Sequence, residues 1–304
     1  MNKRILAGML VLILATLACG SAMPTQQVDN VSTIVAATIQ ALTAAAPLAT
    51  QPLATQAAPT QAPQPSGVAA SFGNVSFVIP NGLASGTSGE QAAAVDETSG
   101  APWEVAPAHI HFTLNGYNDQ LGKFSVADIT IYPAQDFASV SAGATNSLQS
   151  LQAILASPSA PLTKDALPQV PTFNAAQMFA AQVQRINFAS GSGLRMVTQY
   201  GQAVGPVTNN GTFYHFEGLT SDGKYYVVVV LPIGSPLLSS GNDPNAPAPA
   251  GGVPFPGYSS IDPKDYDTYF QAVTDKLNAA GADTFQPSLS QLDALIQSIT
   301  VTSQ

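Results

Sequence analysis

Two of the three histidines in the chain, His109 and His111, stand two residues apart in a segment with the composition of a β-strand. Successive side chains of a strand point to opposite faces, so both imidazoles are predicted to project from the face opposite Ile110. Neutral imidazoles placed in this way can ligate zinc or copper. A metal site at this pair is therefore one hypothesis for the chemistry of the protein.

The third histidine, His215, lies in a second strand-like segment and shares its predicted face with Phe213 and Glu217. If the two strands are neighbours in a sheet, the three histidines and Glu217 would form one cluster with zinc or copper as the cofactor. The alternative is that these side chains are ordinary polar residues on a covered or solvated sheet face. We favour the interpretation as ordinary polar residues. A metal-binding protein or metal-dependent enzyme that uses His109, His111 and His215 is the alternative function.

Other catalytic patterns receive little support from the sequence. The chain contains neither a Gly-x-Ser-x-Gly elbow nor a Gly-rich phosphate-binding fingerprint. Asp262, Asp265 and Asp267 crowd a predicted helix start, where capping and the helix dipole account for the first two, and they lack the spacing of a calcium-binding loop. The sequence thus favours a protein that is not an enzyme.

The single cysteine, Cys19, follows a basic start and an apolar segment over residues 5–18. That segment is shorter than the roughly 20 residues that span a bilayer, so residues 1–18 are interpreted as a signal peptide. Residues 14–20 resemble a lipobox, although Thr16 stands where Leu is usual. Lipidation of Cys19 would anchor the chain to the extracytoplasmic face of the cell membrane. The alternative is ordinary signal cleavage after Ala22.

Charge and composition exclude several classes of partner. Removal of residues 1–18 takes away Lys3 and Arg4, which leaves 7 basic against 18 acidic residues and a net charge of −11. Nucleic acid and direct contact with anionic lipid are therefore disfavoured as partners. If Cys19 is acylated, no thiol remains for a disulfide, a thiolate zinc site or a cysteine nucleophile.

The composition changes sharply along the chain. Residues 19–66 are rich in Ala, Thr and Pro and lack a core pattern, which is typical of a disordered tether. Residues 67–304 have the apolar content of a single globular domain, in which residues 236–260 form a Pro/Gly-rich loop. The domain is predicted to be α+β, with a mainly antiparallel sheet packed against helices.

The sheet is predicted from four strand-like runs separated by turn-forming residues, at 182–189, 194–200, 212–219 and 224–231. Short Gly- and Asp-Gly-containing connections favour an antiparallel central meander. Residues 226–231 of the last run are continuously apolar, so this strand should be covered on both faces. Two C-terminal helices can supply the cover, one with Asp262 as its N-cap and Pro263 at its first position, and one opened by Ser288.

Two segments carry a resemblance to known proteins. Residues 193–201 (GLRMVTQYG) and 213–226 (FYHFEGLTSDGKYY) look like a group of uncharacterised bacterial surface lipoproteins, over most of residues 70–304. The order of elements is also similar to the PsbP-like fold of extracytoplasmic proteins, with a first strand ending at Pro80 and a final Leu-rich helix that leads into a strand. This resemblance implies helices on both sides of an antiparallel sheet and brings no catalytic residues.

Aromatic residues in Gly/Pro-rich loops are the remaining candidates for binding. Trp103 lies in one such loop, and residues 253–258 place Phe255 and Tyr258 in another. Exposed rings of this kind could stack on a sugar or contact a partner protein, whereas buried ones would form small clusters beneath the loops. We favour the second outcome. The function predicted for the whole chain is a non-catalytic binding or accessory module for an envelope protein or glycan.

Overall fold

The computed structural model describes residues 66–117, 126–169, 174–259 and 262–303. The predicted signal peptide, Cys19 and nearly all of the predicted tether lie outside the described residues. No helix in the described part of the chain combines the length and the hydropathy of a bilayer span.

A seven-stranded antiparallel sheet forms the centre of the fold. Its strands, in spatial order, are β3 (Gly86–Ala92), β4 (His109–Asn115), β5 (Asp128–Pro133), β9 (Tyr225–Pro232), β8 (Thr212–Thr220), β7 (Gly191–Gly201) and β6 (Ala176–Phe188). The last four in this order are the predicted meander, and β6 begins six residues before the predicted start. The predicted α+β class with a mainly antiparallel sheet is confirmed.

A second, three-stranded sheet joins the two ends of the described chain. It consists of β1 (Gly67–Phe72), β2 (Val75–Pro80) and β10 (Thr300–Val301), with β2 in the middle. Alternate side chains of β2, at Val75, Phe77 and Ile79, are buried in the hydrophobic core. The sequence predicted β2 and the final strand but not β1, in which Ala70 alone is buried.

Helices pack on both faces of the large sheet. The helices α1 (Ala134–Ser139) and α2 (Ala142–Ala156) cover one face, and α3 (Pro263–Asn278) and α4 (Leu289–Ser298) cover the other, with short 3₁₀ turns at Lys164–Ala166 and Ala282–Thr284. The predicted caps are present. The Asp262 carboxylate accepts a hydrogen bond from the backbone N–H of Lys264 at 2.9 Å, and the Ser288 hydroxyl accepts one from the N–H of Gln291.

Strand β9 is covered on both sides, as its unbroken apolar sequence predicted. Tyr226, Val228 and Val230 contribute to the core beneath α1 and α2, whereas Val227 and Val229 contribute to the core beneath α3 and α4. Burying each such valine contributes about 1.5 kcal/mol or more relative to an exposed position. This strand therefore supports both layers at once.

Gln182 connects the edge strand β6 to the end of α3. It adopts a left-handed backbone conformation with φ of 54°, at an irregularity in the β6–β7 pairing. Its amide donates hydrogen bonds to the backbone carbonyls of Leu277 at 2.7 Å and Ala280 at 3.0 Å. These contacts fix β6 to the C-terminal end of α3, and they accompany the unusual conformation of a residue other than glycine.

Candidate functional site

The structure does not bring the three histidines together. His111 lies on β4 and His215 on β8, and the strands β5 and β9 stand between them. Three strand spacings amount to about 14 Å, which is too far for ligands of one ion. The condition for a three-histidine cluster is therefore not met, although the register does place both side chains on the same sheet face.

His111 lies between two carboxylates that approach opposite sides of its ring. Its Nδ1 is 3.6 Å from Glu90 and its Nε2 is 3.6 Å from Asp128. Groups on opposite ring nitrogens cannot converge with the imidazole on one ion. Within the described ranges, no group of three His, Cys, Asp or Glu side chains is arranged to hold a metal. Zinc or copper at His109 and His111 stays a prediction.

The two histidines of β4 differ in their acid–base behaviour. The Asp128 carboxylate beside Nε2, with a smaller effect from Glu90, raises the pKa of His111 above its ordinary value of 6.5. Burial lowers the pKa of His109, whose Nδ1 lies 2.7 Å from the carbonyl oxygen of Pro107. His109 also packs against the ring of Tyr132, at 4.8 Å between centroids.

We expect NMR titration to separate these two histidines, with His111 titrating above pH 6.5 and His109 below it. The carboxylate partners favour protonated His111, so their contribution to stability is present below pH 6.5 and is lost as pH rises through the folded pKa. Single substitutions His109→Gln and His111→Gln assign the signals. Asp128→Asn should move His111 back toward 6.5 and leave His109 nearly unchanged; titration of both residues at one pH would contradict this account.

The third histidine belongs to a buried hydrogen-bonded trio. The Nε2 of His215 lies 2.7 Å from Oε1 of Glu217, and the Tyr226 hydroxyl donates a hydrogen bond to Oε2 of the same carboxyl group. All three side chains are completely buried. Burial, with a further effect from Glu217, raises the pKa of Tyr226 well above its usual range, so its hydroxyl remains a proton donor.

Stacked aromatic rings cover the Tyr226 side of the trio. Phe137 of α1 stacks on Tyr226 at 4.9 Å and on Tyr132 at 4.8 Å between ring centroids. His, Glu and Tyr are residue types that perform acid–base chemistry, but such groups must reach a substrate atom. The three side chains are completely buried, so they cannot reach a substrate. Their hydrogen bonds join strands β8 and β9 within the core.

An open groove of about 460 Å³ lies at the end of the sheet where β7 finishes. Its walls include Met178, Tyr200, Val204, Asn210, Asn242 and Tyr258, and we name it the Tyr258 groove. This volume lies in the range of ligand-binding sites. A neighbouring cavity beneath Leu237 and Tyr269 has about 10 Å³, the space of a single water.

The groove is formed by two loops that hydrogen bonds hold together. The Asn209 side chain donates to the backbone carbonyls of Ser235 and Leu238, and its Oδ1 accepts a hydrogen bond from the N–H of Ser235 at 2.8 Å. The amide of Gln199 accepts from the N–H of Thr208 at 3.0 Å and donates to the carbonyl of Pro206. The loop after β7 and the Pro/Gly-rich loop therefore form one preorganised surface.

The ring of Tyr258 is held in place and yet exposed. Phe255 contacts it in a T-shaped arrangement at 5.4 Å, and Phe255 is itself packed against Tyr266 and Tyr269. The predicted aromatic cluster beneath the loop is therefore present at Phe255. Tyr258 is 59% exposed, and Trp103 in its own loop is 40% exposed, so these two rings remain available for contact.

Comparison with known proteins gives no information on the ligand of the groove. No family model, no curated protein and no solved structure matches this chain. The resemblance to surface lipoproteins and to the PsbP-like fold therefore stays a prediction. The sequence analysis selected the aromatic loop at residues 253–258 but missed Asn209 and Asn242. The Gly/Pro/Asn-rich composition of their loops was the one sequence feature that pointed to these residues.

Proposed function

We propose that this protein is a non-catalytic binding module held at the extracytoplasmic face of the cell membrane through lipid on Cys19, and that it binds an envelope component in the Tyr258 groove. Support for the anchor comes from the order of the N-terminal sequence, in which a basic start and an apolar segment precede the single cysteine. The net negative charge disfavours nucleic acid as the partner.

The observation that carries the binding proposal is a preformed groove with an exposed ring at its rim. Binding sites of this size combine apolar surface with a few oriented polar groups. The Tyr258 groove has both, because Met178 and Val204 contribute apolar surface, and Asn210 and Asn242 contribute amides. Tyrosine is among the residues that contribute most to binding energy when they anchor an interface.

The proposal is tested with isolated cell envelopes and the mature chain, residues 19–304, carrying Cys19→Ser so that lipid cannot cause retention. Tyr258→Ala should weaken sedimentation with envelopes at least about tenfold, because it removes the exposed anchor. The side chain is 59% exposed, so the fold should be unaffected. Circular dichroism and thermal unfolding of the variant check this.

Trp103→Ala is the matched control, since it removes an exposed aromatic ring from a different loop. The control should bind envelopes as the parent chain does. Equal binding by the parent chain and Tyr258→Ala, or no envelope binding by either, would reject the Tyr258 groove as the binding site.

Cys19→Ser in the full chain tests the membrane anchor. We expect the substitution to move the protein from the membrane fraction to the soluble fraction of the exporting cell, because acyl chains can no longer be attached. Fractions are compared after a wash that removes proteins bound through the groove, with Tyr258→Ala in parallel. Retention of Cys19→Ser in washed membranes would refute the anchor and leave the groove proposal intact.

A further inference from the structure

We infer that the ligand of the Tyr258 groove is a neutral glycan chain, bound by stacking of a sugar ring on Tyr258 and by hydrogen bonds to side-chain amides. This inference rests on the proposed function and specifies the chemical class of its ligand. Three properties of the groove support it: its lack of charge, the geometry of its aromatic ring and the type of its polar groups.

The groove has no charged lining. No Asp, Glu, Lys, Arg or His side chain is among the described residues that form its walls. A ligand with a phosphate, a carboxylate or an ammonium group would lose hydration there without gaining a partner. The net negative charge of the chain further disfavours acidic polymers. The ligand is therefore neutral.

The ring of Tyr258 can offer an open face. In a T-shaped pair the edge of one ring meets the face of the other, so Phe255 covers at most one face of Tyr258. The exposure of 59% agrees with an uncovered face. The face of an aromatic ring carries partial negative charge, which attracts the slightly positive C–H groups that line one face of a pyranose ring.

The polar groups of the groove suit hydroxyls. The Oδ1 of Asn242 accepts a hydrogen bond from Thr208 Oγ1 at 2.8 Å, which orients an exposed side chain that carries two N–H donors. Asn210 supplies a second carboxamide. A carboxamide both donates and accepts, as a sugar hydroxyl does, so the two groups can pair in either direction.

The alternative neutral ligand is a proline-rich peptide, which aromatic grooves also bind. We favour the glycan because the groove is open and its exposed ring projects from a loop, whereas the other tyrosine in its wall, Tyr200, is buried. One exposed ring fits a single stacked sugar better than a repeated proline ridge. Residues 47–65 of this chain provide a suitable peptide for the comparison, because they are rich in proline and uncharged.

The test measures binding by calorimetry, with the mature chain carrying Cys19→Ser. The neutral probes are cellohexaose, chitohexaose, laminarihexaose and mannohexaose, the acidic probe is polygalacturonate, and the peptide probe has the sequence of residues 47–65. We expect binding of at least one neutral oligosaccharide and no measurable binding of the acidic or peptide probes. Tyr258→Ala should lower the affinity at least tenfold, whereas Tyr258→Phe, which keeps the ring, should stay within threefold.

The outcomes separate the inference from the proposed function. Binding of the peptide or the acidic polymer in place of neutral sugars would overturn the glycan inference, as would the absence of binding to every neutral probe. If envelope sedimentation still depends on Tyr258 in that case, the binding module stands with another ligand. If sugar binding is unchanged in Tyr258→Ala but lost in Trp103→Ala, the site has been placed in the wrong loop.

Discussion

Substitution of Glu217 by leucine is expected to lower the free energy of unfolding by about 3–5 kcal/mol. The carboxyl group is completely buried, lies 2.7 Å from the His215 imidazole and accepts a hydrogen bond from the Tyr226 hydroxyl. Leucine has a similar volume, so the loss comes from stranding two buried polar groups rather than from a cavity. Urea unfolding followed by circular dichroism measures the change.

Two further variants test whether the destabilisation comes from the unpaired polar groups of His215 and Tyr226 or from poorer packing of the core. Glu217→Gln keeps an acceptor for Tyr226 and should cost less than Glu217→Leu. Joint replacement of the trio by apolar groups, with His215→Leu and Tyr226→Phe added to Glu217→Leu, should recover part of the lost stability. A loss below about 1 kcal/mol for Glu217→Leu would show that the trio contributes little to the fold.

Val228→Asp is expected to cost more than about 4 kcal/mol, or to prevent folding altogether. Val228 is 5% exposed in the middle strand of the large sheet, between Thr130 on β5 and Glu217 on β8. The new carboxylate would lie directly opposite the buried carboxyl group of Glu217, and the histidine of the neighbouring strand β8, His215, is already paired with that group. Chemical unfolding, or the yield of folded protein, records the effect.

Val126→Asp provides a matched control, because it makes the same chemical change at a valine that is 64% exposed. That variant should stay within about 0.5 kcal/mol of the parent chain. A milder variant, Val228→Ala, should fold and lose about 2 kcal/mol, which keeps the test informative if the aspartate chain does not fold. Equal stability of the two aspartate variants would place β9 outside the core.

Sequence patterns predicted the elements whose burial leaves a clear periodicity. The unbroken apolar run of β9 and the capped start of α3 are examples, and both are present with bounds close to those expected. Strand β3 was missed because its sequence, GTSGEQA, is small and polar and none of its residues is fully buried. It forms a strand because it pairs with β4 through backbone hydrogen bonds. Such pairing is a tertiary effect that local composition does not predict.

Strand order is the reason why the three histidines do not form one cluster. Alternation along a strand predicts that His109 and His111 share one face and that His215 and Glu217 share one face, because that property depends on local geometry alone. Which strands are neighbours depends on the path of the whole chain, and here β5 and β9 come between them. The Tyr258 groove could not be predicted either, because it also depends on the path of the whole chain. Asn209 joins two loops that are distant in sequence.

The small sheet can be completed only after residues near both ends of the described chain have come together. Val75 of β2 pairs with Val301 of β10, and the side-chain amide of Asn74 donates to the carbonyl of Thr302, 228 residues further along the chain. Contacts of such separation carry a high loop-closure cost and form late. Val75, Phe77 and Ile79 are therefore expected to be fully buried only after α4 and β10 have packed against β2. A chain cut before α4 and β10 lacks the helix and the strand that complete this part of the core, so we expect its domain to stay incompletely folded.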